Sequence, residues 1–195
     1  KSKGIIDVSE GKTITGLYLY VKDNKIFKIQ KKLIKTFKLI DLSDSYILPG
    51  LFDCHAHVFS RLFPTDGSFP DALIRESKLS PEERISSAKH ILKNYIDEGF
   101  TSVCDLGNSG NFLDADLKHE IKNNDSYPSF YISGPALASG SAQFLKSTPK
   151  ETIQNEYTLV DDKTDINKLL QTYLDKKIDI LKIILNGIYE DDDFK

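Results

Sequence analysis

His55 and His57 stand one residue apart in LPGLFDCHAHVF (48–59), directly after an apolar run. Side chains of a strand alternate faces, so positions i and i+2 point the same way, roughly 6.5 to 7 Å apart along it. Two imidazoles so placed can converge on one divalent metal through nitrogens at about 2.0 to 2.1 Å. Asp53 shares their parity and is placed to sit beneath them as an acceptor that orients a liganding ring. The other reading of the pair is two partly exposed histidines in a loop. Cys54 alternates to the opposite face and reads as a small core residue.

A second candidate is Lys182, in the middle of IDILKIILNG (178–187), an apolar run of the kind buried in parallel sheets. Ile180 and Ile184 share its parity, which assigns it to a definite face. A free ammonium buried there is costly and must be paired, neutralised or chemically altered. One outcome is a lysine of depressed pKa that takes up CO2 as a carbamate, an anionic group able to bridge two metals. The other is a strand-end lysine that reaches solvent or pairs with a carboxylate. Asp105, in SVCDLG, reads equally as an inward-facing strand-end carboxylate or as the start of a turn before Gly107. His90 and His119 read as solvated helix residues. The small-residue loop GPALASGSAQ (134–143) is a weak candidate for a pocket lining. Neither a phosphate-cradling GxxxxGK loop nor a nucleophile elbow is present.

These residues need elements to hold them. Residues 4–49 read as short strands, with Asp23-Asn24 as a two-residue hairpin turn and two more runs in FKLIDLSDSYILPG (37–50). This predicts a small all-β unit of three to five strands over residues 1–48. From Pro49 onward strands alternate with helices, with FSRLFPTDGSFPDA (59–72) as a long loop. A helix starts at Ser80, with Pro81 at its first position and Glu83 completing a capping box; it buries Ile85, Ala88, Leu92, Tyr95 and Ile96 and ends at Gly99. Then come a strand over 100–107, a helix over 111–123, and a strand in SYPSFYISGPAL (126–137). A helix over 164–177, capped at Thr164 or Asp165, leads to a fourth strand over 178–187. Four βα units in a row predict a parallel sheet or barrel, whose chemistry gathers where strands end.

Composition narrows the partners. With 39% hydrophobic and 28% charged residues the chain reads as globular, and a net charge of −3 leaves no basic footprint for nucleic acid. Cys54 and Cys104 are the only cysteines, a usage that points to a reducing, cytoplasmic compartment. No stretch approaches the roughly 18 apolar residues of a membrane span. The chain contains no methionine, which predicts that Lys1 is not the start of translation.

At these residues the chain resembles the amidohydrolase superfamily, metal-dependent hydrolases built on a (β/α)8 barrel. ILPGLFDCHAH resembles its first barrel strand, with the Pro-Gly-Leu-x-Asp-x-His-x-His signature. EGFTSVCDLG resembles the second strand, YISGPAL the third and IDILKIILNG the fourth. The branch that looks nearest holds the imidazolonepropionase-like and dipeptidase-like members. The resemblance implies an α/β fold: the N-terminal half of a (β/α)8 TIM-type barrel over 49–195, preceded by strands of a small β-sandwich. It implies His55 and His57 as metal ligands and Lys182 as a carboxylated bridging ligand; Asp53 and Asp105 stand beside them as candidate carboxylates from the residue pattern. One or two divalent ions, zinc first among Zn, Mn, Ni and Fe, are the implied cofactor. The implied reaction is attack of a metal-activated hydroxide on a C–N bond of a small-molecule amide or cyclic amide.

The chain also departs from that pattern. The family's later histidines and its proton-shuttling aspartate, the expected catalytic residue, would lie beyond Lys195, and a whole barrel takes about 250 residues. The 138–144 loop lacks a histidine that related proteins carry, and LNGI replaces a more glycine-rich ending. The expectation is therefore a chain inactive alone, completed by a continuing chain, a second chain or a homo-oligomer. Two other readings stand beside it: a non-catalytic half-barrel that binds a metal or a protein, and an unrelated α/β domain whose HxH is chance.

Overall fold

The computed structural model describes residues 1–139 and 148–185. The chain divides into two compact units, Lys1–Gly50 and a larger one from Leu51 onward.

The first unit is all β. β1 (Ser2–Asp7) pairs antiparallel with β2 (Lys12–Ile14) and parallel with β5 (Leu42–Ile47), while β3 (Tyr18–Lys22) and β4 (Lys25–Gln30) form a separate hairpin. The hairpin turns through Asp23 (φ 50°) and Asn24 (φ 57°), the left-handed pair that a two-residue turn matched to strand twist requires. Tyr20 is buried between the strands, donates its hydroxyl to the Lys32 carbonyl (2.8 Å) and accepts the Ile34 amide (2.8 Å). Of the two strands expected in 37–50 only β5 forms. Phe37 instead turns edge-on to Tyr20, with ring centroids 5.2 Å apart, and Asp41 caps the start of β5 by accepting the Ser43 amide at 3.0 Å.

In the second unit β6 (Leu51–Ala56), β7 (Phe100–Asp105) and β8 (Ser129–Ile132) form a parallel sheet in that order. α2 (Pro81–Asp97) and α3 (Leu113–Ile121) pack on it and bury Ala88, Leu92, Leu117 and Ile121 against Val103, Phe130 and Ile132. α2 begins as its sequence requires: the Ser80 hydroxyl accepts the Glu83 amide (3.2 Å) and the Glu83 carboxylate accepts the Ser80 amide (2.8 Å). Gly99 terminates it at φ 88°. His90 and His119 are exposed, as expected.

Three expectations about elements need correction. First, the 126–137 run is two strands, because Gly134 turns the backbone to φ 63° after β8. The chain resumes as β9 (Ala136–Ala138), the centre of a second parallel sheet, β10 (Tyr157–Leu159)–β9–β11 (Ile183–Ile184). Second, the segment read as a long loop over 59–72 ends in the first half of α1 (Phe69–Glu76), whose N-cap Ser68 accepts the Asp71 amide at 3.3 Å and which buries Ala72 and Leu73. α4 (Lys150–Glu156) and β10 were likewise unforeseen; α5 (Ile166–Asp175) forms as expected, capped by Asp165. Third, the fourth strand is short and exposed rather than buried. Among the described residues Ile183–Ile184 pair with β9; Ile183 is 53% exposed, while Ile184 packs partly against Ala136 and Ala138. Of GPALASGSAQ the described residues are 134–139, which include β9, and Ala136 lines a cavity as that segment's pocket reading expects; LNGI lies outside the described residues beyond Leu185.

Candidate functional site

β6 carries His55 near its end, and His57 follows it directly. The register between β6 and β7 shifts between Asp53 and Ala56, so β6 has one residue more than its partner there. Such a bulge re-aims side chains and breaks strict alternation. The imidazoles of His55 and His57 stand 5.2 Å apart between centroids, at 69° to each other. Asp53 is placed differently from the simple parity argument. Its carboxylate accepts the His55 backbone amide (3.0 Å) and the hydroxyl of Tyr95 on α2 (2.8 Å), so it ties the strand to the helix behind it. Burial and this hydrogen bond push the Tyr95 hydroxyl up to about 12. Cys54 is exposed, which corrects the expectation of a core residue. It lies on the parity of Phe52, which is itself exposed and stacks on Tyr131 rather than on a helix.

His57 is held more firmly. Its Nδ1 lies 3.2 Å from the Gly107 carbonyl oxygen. A carbonyl only accepts, so this contact places the proton on Nδ1 and leaves the Nε2 lone pair free for a ligand. The Asn108 carboxamide stands 3.3 Å from the same ring nitrogen, and an Nδ1–H requires it to turn its otherwise unpartnered oxygen toward the ring. Burial lowers the pKa of His57, against the Gly107 hydrogen bond that raises it, and the neighbouring His55 and Lys182 lower it further. Asp105 is wholly buried at the end of β7, and one carboxylate oxygen accepts the Val58 amide at 3.3 Å. It thereby fixes the backbone just beyond His57. Burial first, and the neighbouring Asp114 charge second, raise its pKa well above the ordinary carboxylate range.

Lys182 is half-buried and lines the same cavity as both histidines, together with Leu106, Asn108, Ala136, Tyr157 and Ile184. The cavity holds ≈ 170 Å³, room for an ion and a few waters or for a small group of a ligand. The three sequence-derived candidates thus meet at the ends of parallel strands. Asp53 and Asp105 bind the backbone beside them. Among the described residues no group of three or more His, Cys, Asp or Glu side chains gathers at one point. The ligand nitrogens present are two imidazoles, with Lys182 able to join them only once its ammonium charge is lost. They fit a borderline divalent ion: His57 offers an Nε2 already freed by Gly107, and His55 stands beside it.

Gly107, Asn108 and Tyr157 were not foreseen. GNSGN (107–111) does carry the turn-type residues that tolerate left-handed backbone, but nothing local says what that turn touches.

Fold and cavity together define an α/β protein with a nitrogen-rich pocket where parallel strands end. Residues 46–187 match the profile of the Amidohydrolase family, and the chain belongs to that family. A stretch of 86 residues, 40% of this chain, is 33% identical to adenine deaminase 2 of Oenococcus oeni (strain ATCC BAA-331 / PSU-1), covering 15% of that protein. The fold is similar to that of an Xaa-Pro dipeptidase with bound methionine (TM-score 0.74, 19% identity, 96% of this chain and 46% of that one). It is also similar to a prolidase complexed with N-methylphosphonate-L-proline (TM-score 0.69, 19% identity, 94% and 45%). The chain therefore spans less than half the length of the solved structures it resembles.

Proposed function

We propose that this chain is the N-terminal portion of a metal-dependent amidohydrolase that hydrolyses a C–N bond of a small molecule. The observation that carries the reading is the shared cavity: His55, His57 and Lys182 line it together, and Gly107 sets the His57 tautomer that exposes Nε2. The relatives agree in kind, since deaminase and dipeptidase both name the cleavage of a carbon–nitrogen bond. In this reading 1–48 contributes strands of a small β-sandwich and 49–195 the first four βα units of a (β/α)8 barrel. The rest of the barrel comes from a continuing chain or a second one.

A divalent ion held here, zinc first, would supply Lewis acidity and an activated water. The chain's own residues do the remaining work. His55 and His57 would hold the ion through ring nitrogens. Lys182, as its carbamate, would be an anionic ligand where an ammonium would repel the ion. Asp105 secures the Val58 backbone and Asp53 the His55 backbone, which limits drift of the two rings. In this reading the proton-shuttling aspartate belongs to the rest of the barrel, and this stretch alone would hold a metal without turning over substrate.

Native mass spectrometry of protein stripped of metal and then reloaded tests this. The expected result is uptake of one or two ions, with about 44 Da added on Lys182, and loss of uptake in His55→Asn and His57→Asn. Wild-type protein that takes up no metal overturns the reading.

A further inference from the structure

Arg84 on α2 and Glu156 at the end of α4 form a buried ion pair outside the cavity. Their side chains are 4% and 0% exposed, with Nη1–Oε1 2.9 Å and Nη2–Oε2 3.4 Å. Replacing such a pair by well-packed apolar residues is often neutral or stabilising, so stability is a weak account of its presence. Each partner also reaches one loop. Arg84 Nη2 donates to the Asn108 carbonyl (3.1 Å), and Glu156 Oε2 accepts the Gly110 amide (3.1 Å). A third tie runs alongside, from the Asn111 amide to the Asn155 carbonyl (2.7 Å).

That loop follows an uncommon backbone course. Gly107, Asn108, Gly110, Asn111 and Phe112 all have positive φ, from 53° to 108°. Glycine and asparagine adopt this region readily, but Phe112 does not, and a bulky residue persists there only where surrounding structure over-determines it. Gly110 packs directly on the guanidinium: a Cβ there would lie 2.0 Å from Arg84 Nη1. The same loop ends on His57, through the Gly107 carbonyl at 3.2 Å and the Asn108 carboxamide at 3.3 Å.

We infer that Arg84 and Glu156 are positioning residues for His57: the ion pair clamps the 107–112 loop in its left-handed course, and the loop's Gly107 carbonyl then sets the ring's tautomer and direction. The inference rests on the proposed role of His57 as a metal ligand.

Glu156→Gln, nearly isosteric and uncharged, tests it in the full-length protein. Two readouts are taken: zinc affinity by chelator competition, and the imidazole 15N–1H correlation of His57 in metal-free protein. Leu92→Ala, a core truncation in α2, serves as a comparator for general loss of stability. The expected result is that Glu156→Gln weakens zinc binding by about 10- to 100-fold and mixes the His57 tautomers. Leu92→Ala keeps the Nδ1–H tautomer and the wild-type affinity. If Glu156→Gln does not accumulate as folded protein, Arg84→Lys takes its place, since it keeps the charge but loses the two-armed donor. A wild-type tautomer and affinity in the clamp variant overturns the inference, and so does an equal loss in Leu92→Ala. Wild-type protein that binds no zinc defeats the proposed function instead, and the tautomer signature then decides the clamp on its own.

Discussion

Asp114 on α3 is a carboxylate whose surroundings leave a measurable trace. It is wholly buried and accepts the Gly134 amide (2.7 Å) and the Ala115 amide (2.9 Å), yet burial outweighs those bonds and raises its pKa to about 6 from 3.8. A folded pKa above the unfolded one means the folded state binds the extra proton between those values. The stabilisation is therefore fully present below about 3.8 and is lost as pH rises through about 6. The span corresponds to about 3 kcal/mol. The wild-type stability minus that of Asp114→Asn, measured by denaturant titration, should rise as pH falls from 7 to 4. A flat difference would show that Asp114 is ionised throughout. At this scale the histidine pair was open to direct reading, because i and i+2 placement is a local property. The partner of each ring was not: Gly107 lies 50 residues from His57.

Elements rest on local rules that substitutions can probe one at a time. Ser80→Ala removes the hydroxyl that accepts the Glu83 amide and half of the α2 capping box. It should cost about 1 kcal/mol and lower the melting temperature by a few degrees, leaving metal uptake unchanged. Gly134→Ala should be harsher. It adds a Cβ 2.8 Å from the Phe112 ring and forces a non-glycine residue to φ 63°. Left-handed strain and overpacking each contribute about 1 to 3 kcal/mol, so calorimetry should find Gly134→Ala well below Ser80→Ala. Similar melting temperatures for the two would mean that the β8–β9 corner relaxes freely.

On the scale of the whole molecule, two parallel sheets leave apolar residues uncovered. Phe52 (49%) and Tyr131 (39%) stack in the open, and Ile183 (53%) lies on the edge strand β11. Unpaired parallel edges and apolar faces promote association. The 195-residue chain by itself should therefore show concentration-dependent self-association in sedimentation velocity, and Ile183→Lys should shift it toward monomer. A stable monomer at all concentrations would show that these faces are quiet. Among the described residues no helix is long and apolar enough to cross a membrane.

The sequence by itself determined whatever depends on neighbours a few residues away. The Asp23-Asn24 hairpin, the Ser80–Glu83 capping box, the Gly99 stop and the HxH at a strand end all appear where the residue types required. The amidohydrolase family was legible in the same stretches. Tertiary structure alone decided the bulge in β6, the turn of Asp53 toward Tyr95, the exposure of Cys54 and the break at Gly134. It also joined Arg84 to Glu156, 72 residues away, and brought Lys182 into one cavity with His55 and His57. These features depend on contacts between distant segments. Periodicity and capping describe a segment's own backbone and say nothing of which other segment will pack against it.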